Sequence, residues 1–313
     1  MYVEKRKSKK GITCFLAYSF REGGKIHKIR KLLGTNISKE LLEERISKAE
    51  KLITDEIEKY RVIKDPLDKE LTKEEIDFIK KLEKEANLKV MHLSEEDWRA
   101  FSELFTYNTN AIEGSELTNA EVKEIIKKDI WPKEKSKEDI AETYGVNEAI
   151  NYIRVTKEEL SLDLIKEIHR IVFKNSKTYA GNFREKGDEV VVRTSSGIIV
   201  HEGAPQPRIN ALLDELVDWY NKNKRKYPTL ILASVVHNQF ENIHPFADGN
   251  GRVGRILLNF ILIKNNLPPV NIELKNRMEY YNTLQEYEKN KNLRPTIEFL
   301  IKEYKETKKS LSK

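Results

Sequence analysis

Two apolar helical segments separated by a short polar loop constrain this fold more than any other sequence feature. Apolar residues recur at i, i+3 and i+4 over residues 230–240, and residues 256–263 are apolar almost throughout. A helix that is apolar on every side is stable only where other elements surround it. We therefore expect a mainly α fold with the second of these helices at its centre.

Helical patterns also precede this pair. Ser38 can cap a helix with apolar residues at helical spacing that ends at Asp65-Pro66. Thr72-x-x-Glu75 and Ser94-x-x-Asp97 have the spacing of capping boxes. Further helices are predicted to start at Ser136 or Lys137, at Ser161 and near Pro207.

Two regions have strand patterns instead. Residues 11–20 alternate and are rich in aromatic and β-branched types, residues 21–24 supply turn chemistry, and a strand pattern resumes over residues 25–33, which predicts a β-hairpin. Val190, Val191 and Val192 form the first of two β arms, and residues 198–200 form the second around a polar turn that begins at Arg193.

These patterns predict four parts. Residues 1–65 form a small basic module of a β-hairpin and a helix, and residues 66–135 form a helical segment. Residues 136–305 form a helical core that carries the short β-hairpin, and residues 306–313 form a basic tail.

Positive charge is concentrated at the N-terminus. Residues 1–35 hold ten Lys or Arg and two Glu, a net of +8, which leaves −2 for the rest of a chain whose net charge is +6. Such asymmetry is the electrostatic footprint of a surface for nucleic acid, an acidic protein or a membrane surface, and it is also typical of a well-solvated hairpin.

Membrane and disulfide classes are not expected. No run approaches the roughly 20 apolar residues that cross a bilayer, and the basic start lacks the apolar stretch of a secretory signal. Cys14 is the only cysteine, so neither an intrachain disulfide nor a cysteine-based zinc site is predicted. A cytoplasmic protein fits these features.

The loop between the two apolar helices carries the chemistry. Gly249 and Gly251 flank Asn250 and permit positive φ, which lets successive N–H groups form an anion-binding nest at the start of the next helix. Arg252 and Arg255 are three residues apart in that helix and can neutralise a polyphosphate together.

Two further side chains of this loop suit group transfer. Asp248 precedes the nest and is placed to hold a Mg²⁺ ion that bridges phosphate oxygens. Histidine side chains ordinarily titrate near neutrality, so His244 can take a proton from an attacking hydroxyl group. Together these residues predict phosphoryl or nucleotidyl transfer.

The loop resembles the signature of the Fic family, His-x-Phe-x-Asp/Glu-Gly-Asn-Gly-Arg-x-x-Arg, with every specified position filled over residues 244–255. The resemblance covers most of residues 95–305, including residues 180–184 and 240–243, and Asn276-Arg277 with Tyr280-Tyr281. It implies a Fic-type helical core that transfers AMP from ATP to a Ser, Thr or Tyr hydroxyl of a protein, with Mg²⁺. Homodimerisation is expected from the family alone.

The resemblance also implies a role for each matching residue. Catalysis falls to His244, Asn250 and Arg252, and Mg²⁺ binding to Asp248. The nucleotide contacts are Gly249, Asn250, Gly251, Arg252, Gly254 and Arg255, the flap residues Val190, Val191, Val192 and Arg193, and the adenine-lining pair Tyr280 and Tyr281.

A segment before the core resembles the inhibitory motif of self-inhibited Fic proteins. It runs from Thr109 through Glu113 to Gly114. A carboxylate facing Arg255 would pair with its guanidinium and occupy the space that the γ-phosphate needs. The resemblance therefore implies that Glu113 restrains AMP transfer.

Other functions stay open at this point. Glu113 can instead position water for the removal of AMP from a target. Doc-type kinases of the same fold carry a Lys near the Gly-Asn-Gly position, where this chain has none. The basic residues 1–35, interleaved with Phe15, Tyr18 and Phe20, suggest a nucleic-acid or partner-binding protein with a silent core.

Overall fold

The computed structural model describes residues 1–8, 11–22, 25–61, 66–67, 71–85, 93–185, 191–193, 199–290 and 292–311. The chain forms two compact units, Met1–Val62 and Ile63–Lys313. Within the described ranges, no helix has both the length and the apolar character needed to span a bilayer. The finer division at residues 136 and 306 stays a prediction.

The first unit is a three-stranded antiparallel sheet followed by one helix. The strands β1 (Tyr2–Ser8), β2 (Gly11–Glu22) and β3 (Lys25–Thr35) lie in the order β1-β2-β3, and α1 (Lys39–Arg61) follows. The predicted hairpin is β2-β3. The Lys- and Arg-rich strand β1 has no strand pattern of its own and forms because it pairs with β2 from Tyr2↔Ala17 to Ser8↔Gly11.

One face of this sheet packs against α1. Cys14, Leu16, Ile29 and Leu33 are buried there with Ala49 and Ile53 of the helix. Burial of each large aliphatic side chain stabilises the unit by about 1.5–3 kcal/mol. A unit of this size is marginally stable and depends on several such side chains to fold. Cys14 is thus a small apolar core residue.

The second unit is helical apart from one pair of short strands. Its elements are α2 (Lys73–Lys84), α3 (Glu95–Ile112), α4 (Asn119–Lys128), α5 (Lys137–Val155), α6 (Leu162–Phe173), β4 (Val191–Arg193), β5 (Ile199–Glu202), α7 (Ile209–Asn223), α8 (Thr229–Ile243), α9 (Asn250–Lys264), α10 (Arg277–Asn290) and α11 (Arg294–Leu311).

The central helix pair is α8 and α9, as the two apolar segments predict. Helix α8 packs on α9, α7, α10 and α11, while α9 also contacts α3, α5 and α6. Almost every side chain of α8 is buried, which explains why its apolar positions extend around the helix. The loop that joins α8 to α9 is therefore held between two fixed helix ends.

Helix starts follow the predicted caps with one difference. Thr72 and Glu75 make the reciprocal capping box of α2, and Ser136 and Ser161 cap α5 and α6. Ser94 accepts from the Asp97 N–H, but its hydroxyl donates to the Asp97 carboxylate at 2.6 Å, so α3 has only half of a capping box.

The two β arms are antiparallel, with Val191 opposite Glu202 and Val192 opposite His201. Arg193 ends β4 rather than beginning the turn, because it still pairs with Ile199. Val190, residues 194–197 of the predicted turn and residue 198 of the predicted second arm lie outside the described residues. A 3₁₀ turn, Gln206–Arg208, precedes α7, so the α-helix itself begins two residues after Pro207.

Candidate active site

His244 stands at the end of α8 in a left-handed conformation, with φ 51° and ψ 60°. Its backbone N–H still donates to the Phe240 carbonyl at 3.0 Å, and the chain then turns away from the helix axis. The imidazole Nδ1 lies 3.2 Å from the Glu241 carbonyl oxygen. A neutral ring that donates Nδ1–H to this carbonyl keeps its lone pair on Nε2, so Nε2 is the atom that accepts a proton.

Arg184 holds the His244 segment through backbone atoms. Its Nε donates to the His244 carbonyl at 2.9 Å, its Nη2 donates to the Ala204 carbonyl, and its own N–H donates to the Pro245 carbonyl at 3.0 Å. The side chain is buried. A buried guanidinium bonded to main-chain oxygens fixes the turn on which His244 stands.

Asn250 closes the loop on itself. Its Oδ1 accepts from the Phe246 N–H and its Nδ2 donates to the Phe246 carbonyl, both at 2.9 Å. Both polar atoms of the amide are used in this way, so the Asn250 side chain positions the loop, and its contact with a nucleotide stays a prediction.

A neutral histidine lies beneath this turn. The His169 ring stacks on Phe246 at 3.8 Å between centroids, and its Nδ1 accepts from the Gly181 N–H at 2.8 Å. Its Nε2 therefore carries the proton and donates to the Asp248 carbonyl at 3.2 Å. Burial lowers the pKa of His169 to about 4, which keeps the ring uncharged.

Gly249 is required where α9 starts. Its φ is +81°, and a Cβ at this position would overlap the Phe173 ring. The N–H groups of the first turn of α9 have no partner within the helix, so the loop presents donors and the positive end of a helix dipole to an anion. Gly251 and Gly254 continue this side of α9 without a Cβ and leave room for the Glu113 and Glu241 carboxyl groups, respectively.

Asp248 presents an accessible carboxylate beside the nest. Its Oδ1 accepts from the Gly249 N–H at 2.6 Å, and its Oδ2 lies 3.4 Å from Lys177 Nζ. No described group of three His, Cys, Asp or Glu side chains could hold a metal. Mg²⁺ commonly binds through one or two carboxylates and completes its shell with substrate phosphates and water, so Asp248 stays a predicted Mg²⁺ ligand.

Arg252 is oriented by a carboxylate from another helix. Its Nη1 pairs with Glu142 of α5, and its guanidinium lies 4.6 Å from the centroid of the Phe173 ring. Lys177 joins the same network, with Nζ 2.8 Å from Glu138 and 3.7 Å from Glu142. Arg252 is thus held in place before any nucleotide arrives.

Arg255 and Glu113 are brought together although 142 positions separate them. Nη2 of Arg255 donates to Glu113 Oε1 at 2.7 Å and to the Thr109 carbonyl at 2.9 Å, and Nε donates to the Thr109 hydroxyl at 2.6 Å. Gly114, at φ +101°, ends α3 directly after Glu113. The Glu113 carboxylate therefore lies over Gly251, on the side of α9 that a phosphate would approach.

The two tyrosines occupy different positions. Tyr280 is 1% exposed, its hydroxyl lies 2.9 Å from His237 Nε2, and its ring centroid lies 5.8 Å from the Arg255 guanidinium carbon. Tyr281 is half-buried and donates to the Ile112 carbonyl at 3.1 Å. Tyr280 thus packs against the Arg255 guanidinium, and the predicted role of the two tyrosines in lining an adenine pocket stays a prediction.

Comparison with known proteins agrees with this geometry. Residues 159–262 match the model of the Fic/DOC family, a range that ends within α9 and contains the whole loop. This part of the chain is a Fic/DOC domain.

A protein adenylyltransferase, fic-1 of Caenorhabditis briggsae, is 32% identical over 206 residues, which cover 64% of this chain and 39% of that protein. The solved Fic-domain-containing signaling protein of Bacteroides thetaiotaomicron has a TM-score of 0.66 at 24% identity and covers 75% of this chain and 94% of its own. Residues 134–508 of Fic-1 of Caenorhabditis elegans give a TM-score of 0.63 at 24% identity, with 88% and 78% covered. The chain thus spans 38–45% of the length of the curated relatives it matches.

The candidate site also contains residues to which the sequence analysis assigned no role. They are Glu142, His169, Lys177, Arg184 and Glu241. Glu142 and Lys177 come from α5 and from the loop after α6, far in sequence from their partners, so no local pattern indicates them. Arg184 and Glu241 lie inside the segments 180–184 and 240–243 that resemble the family, which was the available signal for these two residues.

Proposed function

We propose that this protein transfers AMP from ATP to a Ser, Thr or Tyr hydroxyl of a protein, and that Glu113 restrains the reaction. The observation that carries the proposal is the pairing of Glu113 with Arg255 over Gly251, at the start of α9 and close in sequence to His244. The naming of the curated relatives as protein adenylyltransferases supports the same activity.

The chemistry follows from the placement of the side chains. Nε2 of His244 takes the proton of the target hydroxyl, whose oxygen attacks the α-phosphorus of ATP. The bond to the bridging oxygen breaks, and pyrophosphate leaves with that electron pair. The N–H groups of the α9 start and the Arg252 guanidinium stabilise the charge on the phosphates. Asp248 would hold a Mg²⁺ ion, which supplies further positive charge.

The restraint is a competition for Arg255. Three hydrogen bonds, to Glu113, the Thr109 carbonyl and the Thr109 hydroxyl, occupy Nη2 and Nε of this guanidinium. Nη1 is buried and makes no hydrogen bond within the described part of the protein. Loss of the Glu113 carboxylate would free the Nη2 donor beside Nη1 for the γ-phosphate.

The target is a protein, and the chain itself can serve as one. The β4–β5 pair provides strand edges to which an extended target segment can add as a further strand. Main-chain hydrogen bonds of this kind would align a hydroxyl for His244 without reading a long target sequence.

Isotope position tests the reaction. Glu113→Gly protein is incubated with Mg²⁺ and either α-labelled or γ-labelled ATP, with Glu113→Gly/His244→Ala as the catalytic control. The proposal predicts protein-bound label from the α position only, and none in the His244→Ala background. Label from the γ position would mean a kinase. Wild-type protein that removes label from the modified chain would mean AMP removal.

A further inference from the structure

The ammonium group of Lys177 lies among three carboxylates. Its Nζ is 2.8 Å from Glu138 Oε1, 3.7 Å from Glu142 Oε1 and 3.4 Å from Asp248 Oδ2. Glu138 and Glu142 belong to α5, whereas Asp248 belongs to the loop between α8 and α9. One side chain from the loop after α6 is thus the counter-ion for acids of two other segments.

Partial burial distinguishes this cluster from an ordinary surface ion pair. The Lys177 side chain is 18% exposed, and that of Glu142 is 7% exposed. Glu142 Oε1 is buried and has no hydrogen-bond partner among the described residues, so the ammonium group 3.7 Å away is the cation that compensates it. Solvent and salt screen such charges much less than they screen exposed ones.

Removal of Lys177 would change the charge at this place most directly. Two cations, Lys177 and Arg252, face the three carboxylates of Glu138, Glu142 and Asp248. With each group in its charged form, the net charge is −1, and it would be −2 without Lys177. A divalent cation is attracted most strongly where carboxylate charge is not compensated. Lys177 therefore lowers the attraction of this place for a metal ion.

The ammonium group also faces the particular oxygen that a metal ion would need. Asp248 Oδ1 already accepts from the Gly249 N–H at 2.6 Å. Asp248 Oδ2 accepts no hydrogen bond from the described backbone and lies beside Lys177 Nζ. A metal ion on Oδ2 and the ammonium group would repel each other at this short range.

We propose that Lys177 competes with Mg²⁺ for Asp248, so that the metal binds tightly only together with the phosphates of a nucleotide. Phosphate oxygens bring negative charge that offsets the repulsion, and Glu138 retains the ammonium group when Asp248 binds metal. The proposal rests on the proposed function in one respect, the assignment of Mg²⁺ to Asp248. A lysine that only fastened its loop to α5 would leave metal affinity unchanged.

Binding of Mn²⁺, a paramagnetic probe that accepts the same oxygen ligands as Mg²⁺, tests the proposal without any transfer reaction. The full chain, free of nucleotide, is titrated, and free Mn²⁺ is followed by electron paramagnetic resonance. Lys177→Met is expected to bind Mn²⁺ at least about tenfold more tightly than wild type, because a positive charge beside the ligand is removed. Lys177→Gln should behave in the same way, whereas Lys177→Arg keeps the charge and should resemble wild type.

Lys174→Met is the matched control. It removes the neighbouring lysine, which pairs with Glu148 at 2.6 Å. Its Mn²⁺ affinity should stay within about twofold of wild type, because Lys174 has its own counter-ion. A Lys174→Met protein that gains as much affinity as Lys177→Met would show a general effect of charge and would overturn the proposal.

A double variant locates the added metal. Lys177→Met/Asp248→Asn is expected to lose the gain in Mn²⁺ affinity, whereas a retained gain would place the metal on Glu138 and Glu142 and overturn the proposal. Equal Mn²⁺ affinity of wild type and both neutral Lys177 variants, shown to be folded by circular dichroism, would also overturn it. Transfer of α-label in the Glu113→Gly background separates the two claims. Equal affinities with intact transfer reject the competition alone, and the Lys177 effect without transfer supports the competition and rejects AMP transfer alone.

Discussion

At the residue scale, the site depends on groups whose surroundings set their charge. Glu241 is the clearest case, because its Oε1 is buried against Gly254 with no hydrogen-bond partner in the described part of the protein. Burial raises the pKa of Glu241 to about 8, although the nearby Arg255 acts to lower it. At neutral pH this acid is held in its protonated form.

A pH dependence of stability follows from this raised pKa. The unfolded state releases the Glu241 proton near the ordinary value of 4.5, and the folded state keeps it until about pH 8. The group's contribution to stability is therefore complete below pH 4.5 and is lost as pH rises to 8. Denaturant titrations from pH 5 to 8 should show wild type losing stability relative to Glu241→Gln. Parallel curves for the two proteins would contradict the buried-acid assignment.

Substitutions at two glycines with positive φ distinguish the free-energy cost of backbone strain from the cost of steric overlap. Gly114 has nothing within 4 Å of a built Cβ, whereas at Gly249 a Cβ would overlap Phe173. Gly114→Ala should cost about 1–2 kcal/mol from conformation alone. Gly249→Ala should lower the free energy of unfolding by about 1–3 kcal/mol more than Gly114→Ala does, because the added Cβ overpacks against Phe173. Urea unfolding of both variants measures the difference. Equal costs at the two positions would mean that Phe173 moves aside freely.

At the element scale, the fold holds the turn between α8 and α9 from outside both helices. Arg184 makes three main-chain contacts around this turn, to His244, Ala204 and Pro245. We expect Arg184→Ala to lower kcat for AMP transfer at least about tenfold with little change in KM for ATP. The substitution displaces the proton acceptor His244 and leaves the phosphate-binding N–H groups of α9 in place. Arg154→Ala, which breaks a pair with the exposed Glu95, is the control and should retain the wild-type kcat.

Sequence patterns predicted correctly the elements whose signals are local. The apolar periodicity of α8 and α9 and the caps Thr72, Ser136 and Ser161 each lie within a few residues of what they specify. Strand β1 and the pairing of Arg252 with Glu142 were missed, because each is created by a partner distant in sequence. The signature over residues 244–255 identified the loop. Only the structure shows that Asn250 bonds back to Phe246 within this loop and that the Tyr280 ring packs against Arg255.

At the scale of the whole molecule, the two compact units imply separable folding. Each has its own buried core, which in the first unit is the sheet packed on α1. A fragment of residues 63–313 is therefore expected to unfold cooperatively and to keep AMP transfer. Differential scanning calorimetry with the labelling assay checks this expectation. A fragment that aggregates or is inactive would show that the first unit is needed to fold the second.

Assembly stays a prediction at this scale. Homodimerisation is expected from the family, and light scattering after size-exclusion chromatography would show a mass of twice 36.7 kDa if it occurs. A single-chain mass at every concentration tested would argue that Glu113 acts within one chain, as its contact with Arg255 already allows.

The restraint by Glu113 is the central claim, and the initial rate of α-label transfer tests it most directly. Wild type is compared with Glu113→Gly and with Glu116→Gly, which removes an exposed carboxylate three residues further along the chain. We predict a rate at least about tenfold above wild type for Glu113→Gly, about 1.4 kcal/mol in the barrier, and no change for Glu116→Gly. Equal rates for Glu113→Gly and wild type would contradict the claim.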